Sequence, residues 1–170
     1  MKGERKMRKA ASIVAMVLAM VCVFSGCDFK AEKEYEANLQ TVLEEIASSK
    51  QDVDDSMTSV AGSIGDLEEV TEETFQPVLE KIKVAEEKCE TLSALEAPEK
   101  YAEMQNLIKQ SADKMLEAYG KYRDGINLIV EARDESALEE ITTVLTEGDD
   151  AMTEAGNLMT QAGNLQGENE

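Results

Sequence analysis

Apolar residues return along this chain in alternating steps of four and three, the spacing that lines one face of an α-helix. The first series is Leu39, Leu43, Ile46, Lys50, Val53, Met57, Val60, Ile64 and Leu67, with Lys50 as its one polar break. Gly62 and Gly65 fall on the solvent side of that series, so they loosen the helix without leaving a hole in a core. Upstream, Glu32 and Glu36 occupy seam positions, which marks the stretch before residue 37 as a tether or a solvated first turn. A second series reads Phe75, Val78, Ile82, Ala85, Cys89 and Leu92, with Thr74 as its N-cap and Pro77 in its first turn. The third begins at Pro98 and reads Tyr101, Met104, Ile108, Ser111, Met115, Ala118, Tyr122, Gly125, Ile129 and Ala132. The fourth, with Asp134 as its cap, reads Leu138, Ile141, Leu145, Gly148, Met152, Ala155, Met159 and Ala162. No period-two alternation competes with these patterns. Short connections force neighbouring helices antiparallel. The expected fold is all-α, an antiparallel up-down bundle of four long helices, with a three-helix bundle plus an arm as the fallback.

In the third and fourth series every second seam residue is small. Ser111, Ala118, Gly125 and Ala132 stand against Gly148, Ala155 and Ala162. Two readings follow. Alternating large and small residues lets helices approach closely and interlock. Alternatively, the small positions leave a pocket lined by Met115, Tyr119, Tyr122, Met152 and Met159, since methionine adapts to varied ligands but also fills ordinary core gaps. The spacing fits both.

The N-terminal segment follows a different pattern. Five basic residues precede Ala10, and from Ala10 to Phe24 the chain carries no charge. Such a run of about 15 residues is shorter than the roughly 20 that cross a bilayer core as a helix. A basic leader, a short apolar middle and a small pair, Ser25-Gly26, have the composition of an export signal. Together with Cys27 immediately after, the stretch Phe24-Ser25-Gly26-Cys27 resembles the lipobox of bacterial lipoprotein precursors, although Phe24 stands where leucine is usual. The resemblance covers residues 1–27 only. It implies that a peptidase recognises Phe24, Ser25 and Gly26, that residues 1–26 are removed, and that the thiol of Cys27 takes a diacylglyceryl group. It also implies a place at the extracytoplasmic face of the cell membrane, where two acyl chains hold firmly. In bacteria with two membranes, Asp28 behind the lipidated Cys would favour retention at the inner one. The competing readings are an ordinary export signal, or an uncut anchor helix beside a free Cys.

The expected layout is a cleaved signal over 1–26, a lipidated N-terminus and short tether over 27–36, the bundle over 37–165 and a disordered tail over 166–170. The chain holds 17 basic and 36 acidic residues, and residues 1–26 contain five and one of these, so the segment from Cys27 onward carries 12 and 35. A surface of that sign repels nucleic acid and anionic head groups, which leaves attachment to the lipid. The acids are unevenly placed. Asp134 to Glu170 holds ten acidic and no basic residues, and Gln51 to Glu80 holds nine and none. Charge runs of this kind are solvated faces first and docking faces for a basic partner second.

Chemistry is sparse. The chain contains no histidine, which removes the commonest general base and the usual Ser and Cys triads. The lipobox resemblance implies that Cys22 leaves with the signal and Cys27 is consumed by lipid, which leaves Cys89 without a partner for a disulfide within the chain. Its place on the inward face of the second series suits a small apolar group better than a nucleophile. Gln51 to Ser63 holds Asp52, Asp54 and Ser56, but Met57 stands where a calcium loop needs glycine and Ser63 where it needs glutamate. No phosphate loop or dinucleotide fingerprint occurs. The leading expectation is therefore a non-enzymatic interaction or scaffold module of the cell envelope, without cofactor or metal beyond the covalent lipid, meeting a basic envelope protein. The alternative is a sensor that binds a small molecule or cation between helices three and four. A hydrolase working through surface carboxylates is the third class. Self-association stays open, because heptads serve bundles within one chain and between chains alike.

Overall fold

The computed structural model describes residues 30–63, 70–132 and 135–167. Over these residues the fold is all-α, with four long helices: α1, Lys30–Ser63; α2, Glu72–Ser93; α3, Ala102–Glu131; and α4, Leu138–Gly167. Among the described residues there is no strand. Phe24, Ser25, Gly26 and Cys27 lie outside the described residues, as do Ile64, Gly65, Leu67 and Asp134.

Ion pairs give the register directly. Lys88 of α2 meets Glu45 of α1 at 2.8 Å, and one heptad away Lys81 meets Asp52 at 3.2 Å. Residue numbers fall on one helix as they rise on the other, so the pair is antiparallel. The same holds for α3 and α4, where Lys114 meets Glu154 at 3.2 Å and Lys121 meets Glu147 at 2.6 Å. Arg123 of α3 pairs with Glu86 of α2. These are half-exposed pairs, each contributing at most about 1 kcal/mol. They report alignment more than they supply stability.

The apolar seams supply the core. Leu39, Leu43, Ile46 and Val53 of α1, all six seam residues of α2, and Ile108, Met115, Ala155, Met159 and Ala162 are buried in one continuous cluster. Burying a side chain of the Leu, Ile or Met type contributes about 1.5–3 kcal/mol. Lys50 does not interrupt the seam: it is buried, and its Nζ reaches out to Asp54 at 2.5 Å. Its aliphatic stem packs while its charge stays paired near water. Gly62 is exposed, and a side chain there would begin in open space, as the pattern expects.

Four local expectations are corrected. Thr71, not Thr74, is the N-cap of α2; Thr74 lies one turn inside, where its hydroxyl accepts from the Thr71 N–H at 3.2 Å. Pro77 is consequently inside α2 rather than in its first turn, tolerated because it faces solvent, where water can serve the carbonyl it leaves without a helical donor. Pro98 leads into a 3-10 turn, Glu99–Tyr101, before α3 proper begins at Ala102. Leu138, placed on the fourth seam, is 44% exposed at the first position of α4.

The start of α1 departs furthest from the pattern. Helix already covers 30–36, the stretch expected as a tether, and Tyr35 and Glu36 are 4% and 7% exposed. A carboxylate is stable there because a specific donor meets it.

Candidate functional site

The α3–α4 seam is interlocked at every small position where the contacts are resolved. A methyl group built on Gly125 would stand 2.5 Å from Cδ2 of Leu145, and one on Gly148 would stand 2.7 Å from the ring of Tyr122. Glycine is needed at both places because a neighbour already fills the space. Ser111, fully buried, donates its hydroxyl to the carbonyl of Ala155 across the seam at 2.8 Å.

The residues expected to line a pocket are placed as follows. Met115, Tyr119, Met152 and Met159 are all buried at 5% exposure or less. Met115 faces α2, with its sulfur 3.8 Å from that of Cys89. Tyr119 and Tyr122 meet edge to face with ring centroids 6.3 Å apart. Half-buried Tyr122 donates its hydroxyl to Asp149 at 3.0 Å. Met115, Tyr119, Met152 and Met159 belong to the buried core cluster, and Tyr122 packs against it.

A denser polar arrangement lies at the end of the bundle where α1 begins. Tyr101, on the 3-10 turn, donates its hydroxyl to Oε1 of Glu36 at 2.5 Å, the short distance of a charge-assisted bond. Its ring stacks on Tyr35, with centroids 5.3 Å apart and planes 25° apart. Tyr35 donates to Oε1 of Gln105 at 2.6 Å. Gln105 in turn donates to the carbonyls of Leu95 at 2.9 Å and Leu92 at 3.4 Å, where α2 ends. Lys100 stands 3.5 Å from Glu32 and 5.1 Å from the centre of the Tyr101 ring. Beside this network a groove of about 260 Å³ is lined by Glu99 to Met104 and by Leu165 of α4. Among the described residues no buried side-chain polar atom lacks a partner, so the network is closed on itself.

Of the side chains it links, the sequence pattern singled out Tyr101, as a seam residue, and Glu32 and Glu36, as breaks in one. Gln105 and Tyr35 carried no periodic signal. A carboxylate in a seam position beside a tyrosine was the available hint.

Burial, then the Glu36 hydrogen bond and charge, push the Tyr101 hydroxyl up to about 12. Burial, then the charges of Glu86 and Glu90, push the Cys89 thiol up to about 12, so this thiol stays protonated and unreactive at neutral pH. Tyr35, Tyr119 and Tyr122 move in the same direction, each chiefly through burial. A raised value means that the folded chain keeps a proton that the unfolded chain releases. Stability is therefore complete below the ordinary thiol and phenol values and falls as pH rises above about 9 to 10. Urea midpoints measured from pH 7 to 11.5 should be level and then decline. Tyr101→Phe should start lower and decline less steeply above pH 10. Equal slopes in the two proteins would contradict the assignment.

Among the described residues no group of three or more His, Cys, Asp or Glu is placed to hold a metal ion, and no helix is long and apolar enough to cross a membrane. No protein family, no curated protein and no solved structure matches this chain.

Proposed function

We propose that the chain is a bacterial lipoprotein, held at the extracytoplasmic face of the cell membrane by a diacylglyceryl group on Cys27, whose acidic bundle docks a basic protein of the cell envelope without turning over a substrate. The observation that supports docking is where the topology gathers charge. The antiparallel order brings the C-terminal halves of α1 and α3 and the N-terminal halves of α2 and α4 to one end, the end away from Lys30, where Lys121 and Arg123 of α3 are paired with Glu147 and Glu86. Exposed there are Asp52 and Asp55 of α1, Glu72, Glu73 and Glu80 of α2, and Glu139, Glu140 and Asp150 of α4. The chain emerging from Cys27 enters the bundle at the opposite end, so the acidic end would point away from the membrane and toward a partner. Charge of one sign steers a partner of the other and weakens with salt.

Affinity capture on the full chain, extracted from membranes in detergent, tests this. A basic envelope protein should be retained at low ionic strength and released at high. Charge reversal at Glu139 and Glu140 should weaken retention several-fold. Capture that is indifferent to salt and to both reversals would contradict the proposal.

The second reading, a sensor of small molecules or cations, finds its best support in the groove beside Tyr101 rather than in the α3–α4 seam. A ligand that binds only the native state would raise its melting temperature.

A further inference from the structure

Helix α1 begins at Lys30, only three residues beyond Cys27. Whatever path Asp28 and Phe29 follow, three residue steps span at most about 11 Å. Acyl chains on Cys27 would fix its backbone at the level of the lipid head groups, so the first turn of α1 stays within that leash of the bilayer surface. From there the 34 residues of α1 run about 50 Å to Ser63. Charge is graded along the same axis. Among the described residues four lysines have no ion partner: Lys30, Lys33, Lys83 and Lys109. Lys30 and Lys33 are exposed in the first turns of α1, Lys109 lies toward the same end on α3, and Lys83 stands at mid-length of α2. In the far half, Lys81, Lys121 and Arg123 are paired with Asp52, Glu147 and Glu86. Glu34, Glu96, Glu99 and Glu103 are exposed near Lys30, so the near end is mixed in charge while the far end is acidic.

Given the lipid anchor on Cys27, on which this posture rests, we propose that the bundle stands upright on the bilayer. Its near end is seated against the head groups, and its acidic end is held about 50 Å above them as a stand-off of fixed height. Each of the four helices exposes more acids than cations. Lying flat would therefore press an acidic flank against the head groups, whichever side turned down. An anionic bilayer repels such a flank and attracts Lys30 and Lys33. The short leash stops the repelled bundle from drifting off, so turning upright is the response left to it. The height matters for docking, because the field of the bilayer fades within a Debye length of about 8–10 Å. A basic partner at the far end meets the acids of the protein without competition from those of the lipid.

Neutron reflectometry reads the posture, on the full chain reconstituted from detergent into a supported bilayer of phosphatidylcholine and phosphatidylglycerol at low ionic strength. The expected protein layer is about 50 Å thick and begins at the head groups. A flexible Gly-Ser segment of about twelve residues inserted between Asp28 and Phe29 adds up to about 40 Å of reach. That variant should show a hydrated gap beneath the layer. A layer about 20–25 Å thick in the parent protein, the width of two helices side by side, would overturn the proposal. So would an insertion variant whose layer stays against the head groups. A flat layer would refute the posture and leave the anchor standing, whereas protein washed from the bilayer once detergent is removed would refute the anchor and the posture with it.

Discussion

Cutting Ile108 back to alanine should destabilise the bundle by about 2–5 kcal/mol, the loss of a buried aliphatic side chain plus the cavity it leaves. Ile108 is fully buried on α3. In a domain of this size the loss corresponds to a melting temperature lower by roughly 4–20 °C. Enlarging Ala155 to leucine, on the facing helix, should also destabilise, by about 1–3 kcal/mol. Ala155 has no exposed surface, and its carbonyl already accepts the Ser111 hydroxyl at 2.8 Å. The two changes act in opposite senses on volume, so a joint loss identifies an interlocked seam. A vacant pocket between α3 and α4 would instead accept the leucine with little change or a gain. Urea denaturation of the two variants separates these outcomes.

The second large effect concerns Cys27. Serine there lacks the thiol that carries the acyl group in the lipobox resemblance, and its hydroxyl is a poor substitute nucleophile at neutral pH. Cys27→Ser should abolish incorporation of labelled fatty acid and leave residues 1–26 attached, since cleavage in that class follows acylation. The effect is all or none, because a single covalent event decides between two products. An uncut anchor helix predicts no fatty acid in either protein and no change in length.

Most of the architecture was legible because it rests on one repeating signal. Leu39, Leu43, Ile46 and Val53 on α1, and Phe75 to Leu92 on α2, are buried where the heptads place them. A heptad states which face turns inward, and a bundle of such faces needs little else. The ends were less legible. Thr74 and Thr71 are chemically equivalent caps three residues apart, and the choice between them depends on how the preceding chain enters α2. Pro98 fits the first position of an α-helix and a 3-10 turn equally well.

The pairings of the polar network were not legible, for a stronger reason. Glu36 in a seam position is the mark of a solvated helix end when read along the chain. It becomes a stable buried group only because Tyr101, far away in sequence, supplies a hydrogen bond at 2.5 Å. No local pattern encodes that pairing. The alternation of large and small residues in α3 and α4 was visible, but its meaning depended on whether Leu145 and Tyr122 turn into the spaces at Gly125 and Gly148, as they do.

The proposed lipid anchor on Cys27 is tested most directly by the intact mass of the protein purified from cells that express the full chain. The prediction is a polypeptide that begins at Cys27 and carries the added mass of a diacylglyceryl group. A mass showing residues 1–26 still attached and an unmodified thiol at Cys27 would contradict it.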